Sequence, residues 1–282
     1  MSLRFAARRL WLGLSTLLGR RRGFFIPYRY AHQLPPPGGR PPYRALERTF
    51  DASAATFAAE LRALDEFAEA LQAIGSQPPP APRWDQDWFP RLDAAMAYAL
   101  VRRHRPPRIV EVGSGHSTRF LARAVADGGL ATEIVAIDPT PRAALRGLRV
   151  EWLPQTAPAC GLAPFQGLRA GDLLFVDSSH ILMPGTDVDF LLNDVLPILP
   201  PGVLLHLHDI FLPDDYPASW SWRGYNEQSG VASLLDGRWE PLFASRYVAT
   251  RMPDRLRESV VAGLPLLSGA VETSLWLRRR GG

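Results

Sequence analysis

The feature that most constrains the fold is a series of short apolar runs in the last two thirds of the chain. The runs lie at residues 109–112, 134–137, 173–176 and 203–207, and helical segments or loops separate them. Runs that are almost continuously apolar are typical of parallel strands covered on both faces of a sheet. Because these strands alternate with helices, the sequence predicts an α/β fold with a doubly wound, Rossmann-like and mostly parallel sheet.

The end of the chain departs from this alternation. Residues 239–243 and 270–277 have strand character, and the segment between them shows no convincing helical periodicity. We therefore expect the last two strands to form an antiparallel pair at the edge of the sheet.

Proline and glycine divide the chain into three parts. Residues 1–33 form a basic arm in which residues 3–18 have the apolar spacing of an amphipathic helix. Residues 44–83 form a helical cap and linker, whose long helix is expected to break near Asp51. Residues 84–282 form the main α/β domain, so that the arm and the cap are an N-terminal helical extension.

Composition excludes several classes of protein. The 282 residues are 46% hydrophobic and 21% charged, a balance that excludes a disordered chain. No apolar run reaches the roughly 20 residues that cross a bilayer. Cys160 is the single cysteine, so an intrachain disulfide and a four-cysteine zinc site are both impossible. A reducing, cytoplasmic compartment is the expectation.

Positive charge is concentrated at the N-terminus. Residues 1–50 hold ten arginines and one acid, a net charge of +9, whereas the rest of the chain has a net charge of −5. The arginines of the main domain are scattered among more numerous acids, which argues against a nucleic-acid partner.

The basic helix has two interpretations. It docks on its own domain or on a second subunit, or residues 3–30 contact the inner face of an anionic membrane peripherally. The sequence leaves the oligomeric state open.

A strand, a glycine-containing loop and a helix follow one another at residues 109–126. Gly113 and Gly115 permit a tight turn and a close approach of the backbone to a ligand. Asp138 ends the second strand, where a carboxylate can accept both hydroxyls of a ribose. This context predicts a nucleoside ligand. Thr118 stands where a dinucleotide-binding loop has glycine or alanine, which argues against a nicotinamide cofactor.

Four stretches of the sequence resemble, in order, the motifs of class I S-adenosylmethionine-dependent methyltransferases. They are Glu111-Val112-Gly113-Ser114-Gly115 and residues 136–139, 171–177 and 199–203. The resemblance covers about residues 84–277, and it implies a seven-stranded sheet with an antiparallel last strand. It also implies S-adenosyl-L-methionine as the cofactor, with contacts from Glu111, Gly113, Gly115, Ser117 and Asp138.

Polar residues end the next two predicted strands. The stretches are Asp177-Ser178-Ser179-His180 and His206-Leu207-His208-Asp209. If the strands are neighbours, Asp177 and Asp209 approach within roughly 5–8 Å, and a proton or a cation must offset their repulsion. His180 follows Asp177 by three residues and is expected to point into the same pocket. His206 lies within the strand and is expected to be a hydrogen-bonded core residue.

This pattern resembles the metal-dependent O-methyltransferases of small molecules and sugars, including the macrocin type. The resemblance implies that Asp177 and Asp209 bind Mg²⁺ or another divalent metal and that His180 is the catalytic base. His208 stands where an acid is expected, and imidazole suits softer metals. His208 is therefore a candidate either for the third metal ligand or for the base itself.

The resemblance implies an enzyme of class EC 2.1.1.-, from a bacterial group, that methylates a hydroxyl of a small molecule or glycan. A nitrogen acceptor remains an alternative. Asn226, Glu227 and Gln228 follow a tract rich in aromatic residues, and they either contact substrate or cap the next helix. Two other functions stay open, a nicotinamide-dependent oxidoreductase and a non-catalytic protein of the same fold docked at a membrane.

Overall fold

A computed structural model describes residues 3–20 and 22–281 of the chain. Its sheet has seven strands in the order β3-β2-β1-β4-β5-β7-β6. The strands are β1 Arg108–Val112, β2 Glu133–Ile137, β3 Glu151–Leu153, β4 Leu173–Val176, β5 Leu204–Leu207, β6 Trp239–Ala244 and β7 Leu275–Arg279. β7 runs antiparallel to both of its neighbours, and the other pairs are parallel. The predicted fold class is confirmed.

Helices precede the first strand in the sequence and alternate with the strands that follow. The α-helices are α1 Leu3–Leu17, α2 Arg44–Ala63, α3 Ala68–Gln72, α4 Arg91–His104, α5 His116–Asp127, α6 Ala157–Cys160, α7 Ala163–Gln166, α8 Asp187–Phe190, α9 Glu227–Val231, α10 Ser245–Arg251 and α11 Pro253–Glu258. A π-helical turn spans Leu191–Val195, and 3-10 turns span Ala31–Gln33, Leu64–Phe67, Leu196–Ile198, Ala218–Trp220, Ala232–Asp236 and Val260–Gly263.

The structure corrects two local predictions and adds a strand, β3, that the apolar runs do not predict. The long helix passes through Asp51 without a break and gives way to a 3-10 turn only at Leu64. Asp51 is compatible with the helix because its carboxylate accepts a hydrogen bond from the Tyr247 hydroxyl at 2.6 Å instead of competing for the backbone. β3 has only three residues, too few to show a pattern. The segment between the last two strands contains α10 and α11, which are too short to show a helical period.

The core joins the predicted helical cap to the sheet. Phe50 and Phe57 of α2 are fully buried and pack edge-to-face against Phe243 and Tyr247, with ring centroids 5.7–6.1 Å apart. Residues 43–213 and 226–281 accordingly form one compact unit. The described residues up to 42 form a second unit together with Asp214–Tyr225.

Most of α4 is buried within the larger unit. All residues from Leu92 to Val101 are buried, including Asp93, and the helix ends at Arg105 in a left-handed conformation just before two prolines. None of the helices in the described ranges combines the length and the apolar character that crossing a bilayer requires.

Candidate active site

The glycine loop after β1 is tightly packed against the loop after β4. Gly113 has φ +80°, and a Cβ atom there would clash with the carbonyl oxygen of Asp177. Gly113 therefore meets two conditions at once, a left-handed backbone and the absence of a side chain. The close approach that the sequence predicts at this glycine is made by the protein's own backbone.

Side chains hold the loop in place from three directions. The amide N–H of Ser114 donates to Asp138 Oδ2 at 2.7 Å, and the amide N–H of Gly115 donates to the hydroxyl of Thr118 at 2.9 Å. The hydroxyl of Ser117 donates to Oε1 of Glu111 at 2.6 Å. The five predicted cofactor residues are thus brought together around one loop.

Glu111 is the buried carboxyl of this loop. Its side chain is fully buried, and Oε2 receives no hydrogen bond within the described part of the chain. Burial raises the pKa of Glu111 to about 8, against the opposing effect of the hydroxyls of Ser117 and Thr118. An unpartnered buried carboxyl oxygen beside a glycine loop fits a polar ligand such as S-adenosylmethionine.

Two imidazoles lie between the carboxylates at the ends of β4 and β5. Nδ1 of His208 is 3.2 Å from Asp177 Oδ1 and 3.6 Å from Asp209 Oδ1. Nε2 of His180 is 3.4 Å from one oxygen of each of these two aspartates. The predicted juxtaposition of Asp177, His180, His208 and Asp209 is therefore present, because β4 and β5 are adjacent parallel strands.

Each imidazole also contacts a third carboxylate through its other ring nitrogen. Nδ1 of His180 is 2.8 Å from Oε2 of Glu227, and Nε2 of His208 is 3.3 Å from Oδ2 of Asp93. Asp93 in turn accepts hydrogen bonds from the backbone N–H groups of Thr273 and Ser274 at 2.9–3.1 Å. Both rings are thus held at both nitrogens.

The carboxylates set the charge of the two imidazoles. Burial alone would lower the pKa of His180, but the charge of Asp209 and the hydrogen bonds to Asp177 and Glu227 outweigh burial and hold the pKa well above its usual value. The same balance raises the pKa of His208, mainly through Asp177. In return, and despite burial, the two imidazoles lower the pKa of Asp177.

Backbone conformation aims two of these side chains. His180 and Asp209 have φ of +60° and +55°, and Arg105 is the one other non-glycine residue with positive φ among the residues described. Such conformations persist when surrounding contacts enforce them. Asn226 provides some of these contacts, because its side chain accepts from the N–H of Leu182 at 2.7 Å and donates to the carbonyl of Leu182 at 3.1 Å.

Asn226, Glu227 and Gln228 therefore hold the two loops that follow β4 and β5. Glu227 bonds His180, and Oε1 of Gln228 accepts from the N–H of Phe211 at 2.9 Å. The side chain of Asn226 does not cap the next helix, because it makes no capping hydrogen bond to α9.

The arrangement does not fit a metal ion. Across residues 3–20 and 22–281, no group of three or more histidine, cysteine, aspartate or glutamate side chains is arranged to hold one. The lone pairs of Asp177 and Asp209 instead face imidazole N–H groups, which offset the repulsion of the two carboxylates. The metal role predicted for Asp177, His208 and Asp209 finds no support in this geometry.

His206 lies apart from this chemistry. Its ring stacks on Phe175 with centroids 3.7 Å apart, and Nε2 is 2.8 Å from the hydroxyl of Ser274. Burial lowers its pKa well below the usual value, so the ring is neutral. The expectation of a hydrogen-bonded core histidine is confirmed.

Two members of the site have roles that the sequence does not predict. Asp93 belongs to no motif, and its only signal is an acid within an otherwise apolar helical stretch, residues 92–101. Glu227 is expected to contact substrate or to cap a helix, whereas its contact with His180 depends on a fold that brings together residues 47 positions apart.

One family model matches the part of the chain that holds most of this site. Residues 110–210 match the family described as "Methyltransferase domain", and this segment contains every site residue except Asp93 and Glu227. Among curated proteins, no relative matches the sequence.

Solved structures of low identity are also similar to the chain. The S-adenosylhomocysteine-bound methyltransferase PaMTH1 of Podospora anserina is 20% identical over 92% of this chain and 100% of its own, with a TM-score of 0.44. Cofactor-bound Rv0187 of Mycobacterium tuberculosis is 16% identical over 89% and 100%, with a TM-score of 0.42. An O-methyltransferase of Bacillus cereus in complex with S-adenosylhomocysteine is 14% identical over 65% and 82%, with a TM-score of 0.35.

The family match and the sequence motifs agree with the sheet order and with the glycine loop. Residues 110–210, about a third of the chain, thus match a methyltransferase domain.

Proposed function

We propose that this protein transfers a methyl group from S-adenosylmethionine to a hydroxyl of a small molecule or glycan, with His180 as the general base. The observation that carries the proposal is the position of the His180 imidazole, between the two strand-end carboxylates and Glu227. An alcohol is a poor nucleophile near neutral pH, and a positioned base makes it a better one.

Hydrogen bonding assigns the two nitrogens of His180 different tasks. The short 2.8 Å contact to Glu227 favours a proton on Nδ1. Nε2 is 3.4 Å from one oxygen each of Asp177 and Asp209, and in the neutral ring it is the nitrogen proposed to accept the proton from the hydroxyl of the methyl acceptor. His208 is held by Asp93, which is itself fixed by backbone donors, and supports the position of Asp177.

The net charge of the site suits a cationic donor. When bound, S-adenosylmethionine supplies an electrophilic methyl group on a positively charged sulfur. The four carboxylates Asp93, Asp177, Asp209 and Glu227 outnumber the two imidazoles, so the cluster remains negative when both rings are protonated. Glu111 and Asp138 are the residues proposed to bind the cofactor's amine and ribose.

The aromatic tract before Asn226 supports a polyhydroxylated or aromatic acceptor. Within the smaller unit, the guanidinium of Arg223 lies 4.1 Å from the ring centroid of Trp220 and 5.3 Å from that of Trp222. Half-buried aromatic and cationic groups of this kind are common in sites that bind sugars and aromatic rings.

Calorimetry tests the cofactor first. We expect S-adenosylmethionine and S-adenosylhomocysteine to bind the full chain, and NADH not to bind. Asp138→Ala should abolish that binding, whereas Asp236→Ala, at an exposed aspartate, should leave it unchanged. Binding of NADH alone would overturn the assignment in favour of an oxidoreductase.

Turnover then tests the base. A screen of hydroxylated small molecules and glycans with a labelled methyl donor identifies an acceptor. His180→Ala should reduce turnover at least about 100-fold while cofactor affinity stays near normal, because a general base typically contributes 10²–10⁴-fold. Full activity of this variant would transfer the role of base to His208.

A further inference from the structure

The N-terminal helix α1 turns its apolar stripe outward. Leu10, Leu14 and Leu17 lie on one face and are 65%, 51% and 63% exposed. On another face, Leu12 is half-buried and Ser15 is buried. A helix that packs through its apolar stripe would show the opposite pattern, so the stripe is available to something outside the chain.

The residues that follow α1 extend this exposed apolar surface. Phe24, Phe25 and Ile26 are all more than half exposed. Of the sixteen large apolar or aromatic side chains found exposed in the described structure, eleven lie between residues 10 and 34. Such a concentration marks an interaction site, because the other five exposed side chains of this kind are Trp88, Trp152, Ile198 and the pair Leu266 and Leu267.

Positive charge accompanies the apolar surface. At 100° per residue, Arg9 of α1 lies beside the leucine stripe and Arg8 lies on the opposite face, and Arg20, Arg22 and Arg29 follow the helix. The guanidinium of Arg22 lies 4.5 Å from the ring centroid of Trp11, at the edge of the stripe. The sequence has no acidic residue before Glu47.

We infer that residues 7–20 and 22–30 form a docking surface for a bilayer with anionic headgroups, and that α1 lies in the plane of that surface. The leucine stripe enters the boundary between headgroups and acyl chains while the arginines contact lipid phosphates. A second copy of the chain is a poorer occupant, because a two-fold contact would place one set of arginines against the other with no acid between them.

Vesicle binding by the full chain tests the inference. We expect co-sedimentation with vesicles that contain phosphatidylglycerol, weak binding to phosphatidylcholine alone, and loss of binding in high salt. Leu14→Glu with Leu17→Glu should abolish binding. Arg9→Gln with Arg22→Gln should weaken it about 30-fold, because each arginine near an anionic surface is worth about a fivefold change.

Matched controls lie on the larger unit. Ile198→Glu with Leu266→Glu changes exposed apolar residues, and Arg255→Gln with Arg257→Gln removes the same charge from exposed arginines. These controls should bind like the unaltered chain. Equal binding to neutral vesicles, or equal loss in the controls, would overturn the inference. So would a concentration-dependent dimer that the leucine substitutions dissociate in the absence of lipid.

Discussion

Nδ1 of His180 lies 2.8 Å from Oε2 of Glu227, and both side chains are buried. This contact crosses 47 positions of sequence and joins the loop after β4 to the start of α9. A carboxylate at Nδ1 selects the tautomer in which Nε2 is the accepting nitrogen, and it raises the pKa of the ring. Glu227 is therefore a positioning residue for the proposed base.

Glu227→Gln is expected to change the pH profile of methyl transfer. The base works only when neutral, and three carboxylates hold its pKa well above the usual value, so activity should rise as pH rises through that pKa. Removing the charge of Glu227 lowers the pKa of His180. The rising limb should therefore move to lower pH, while the plateau value of kcat falls about 10-fold or more because the ring is less well oriented.

The control for this experiment is Glu240→Gln, which neutralises a half-exposed carboxylate on β6. This variant should leave the rising limb and the plateau of the pH profile of kcat unchanged. A uniform loss of activity in Glu227→Gln, with no movement of the limb, would show that Glu227 supports only the fold.

Chelation tests whether the cluster of imidazoles and carboxylates acts without a metal. Because the carboxylates of Asp177 and Asp209 face imidazole N–H groups, we expect activity to survive dialysis against a chelator and not to increase with Mg²⁺ or Mn²⁺. The assay is initial rate with the acceptor found in the screen. Loss of activity that a divalent cation restores would return the metal role to these aspartates.

Glu111→Gln should change how stability depends on pH. The pKa of Glu111 is about 8 in the folded chain and near 4.5 when exposed, so the folded state holds an extra proton between these values. Stability from this group is complete below about pH 4.5 and is lost as pH rises toward about 8, a change on the order of 4 kcal/mol. In Glu111→Gln, this part of the fall in unfolding free energy with rising pH should disappear.

Urea unfolding without cofactor, from about pH 5 to pH 9, measures this effect. The difference between the two proteins isolates Glu111, since His180 and His208 contribute equally to both. If the unfolding free energies of the unaltered chain and of Glu111→Gln changed in parallel with pH, Glu111 would not be protonated in the folded chain.

Gly113→Ala should destabilise the protein more than the same substitution at another glycine with a left-handed backbone. Gly171 has φ +90° and open space around its Cα atom, so Gly171→Ala should cost only about 1–2 kcal/mol of backbone strain. At Gly113 the new methyl group also meets the carbonyl of Asp177, which should add about 2 kcal/mol and displace that aspartate. Thermal unfolding compares the two variants. Equal losses of stability would show that the loops after β1 and β4 separate freely.

Local sequence patterns determined the architecture and most residues of the candidate site. Apolar runs specify parallel strands because a sheet covered on both faces needs apolar residues on both, and four strands occur where the runs predict them. The polar residues after β4 and β5 converge because parallel strands end at the same edge of a sheet. The glycine loop follows from Gly113 and Gly115, whose backbone conformations favour glycine.

Only the tertiary structure decided which partners the imidazoles have. Asp93 reaches His208 from a buried helix, and Glu227 reaches His180 from a segment beyond β5, through contacts that have no local period. It also decided that α2 packs on β6 and that the leucine stripe of α1 faces outward. Amphipathic spacing shows that a helix has an apolar face, but what that face contacts depends on the rest of the fold.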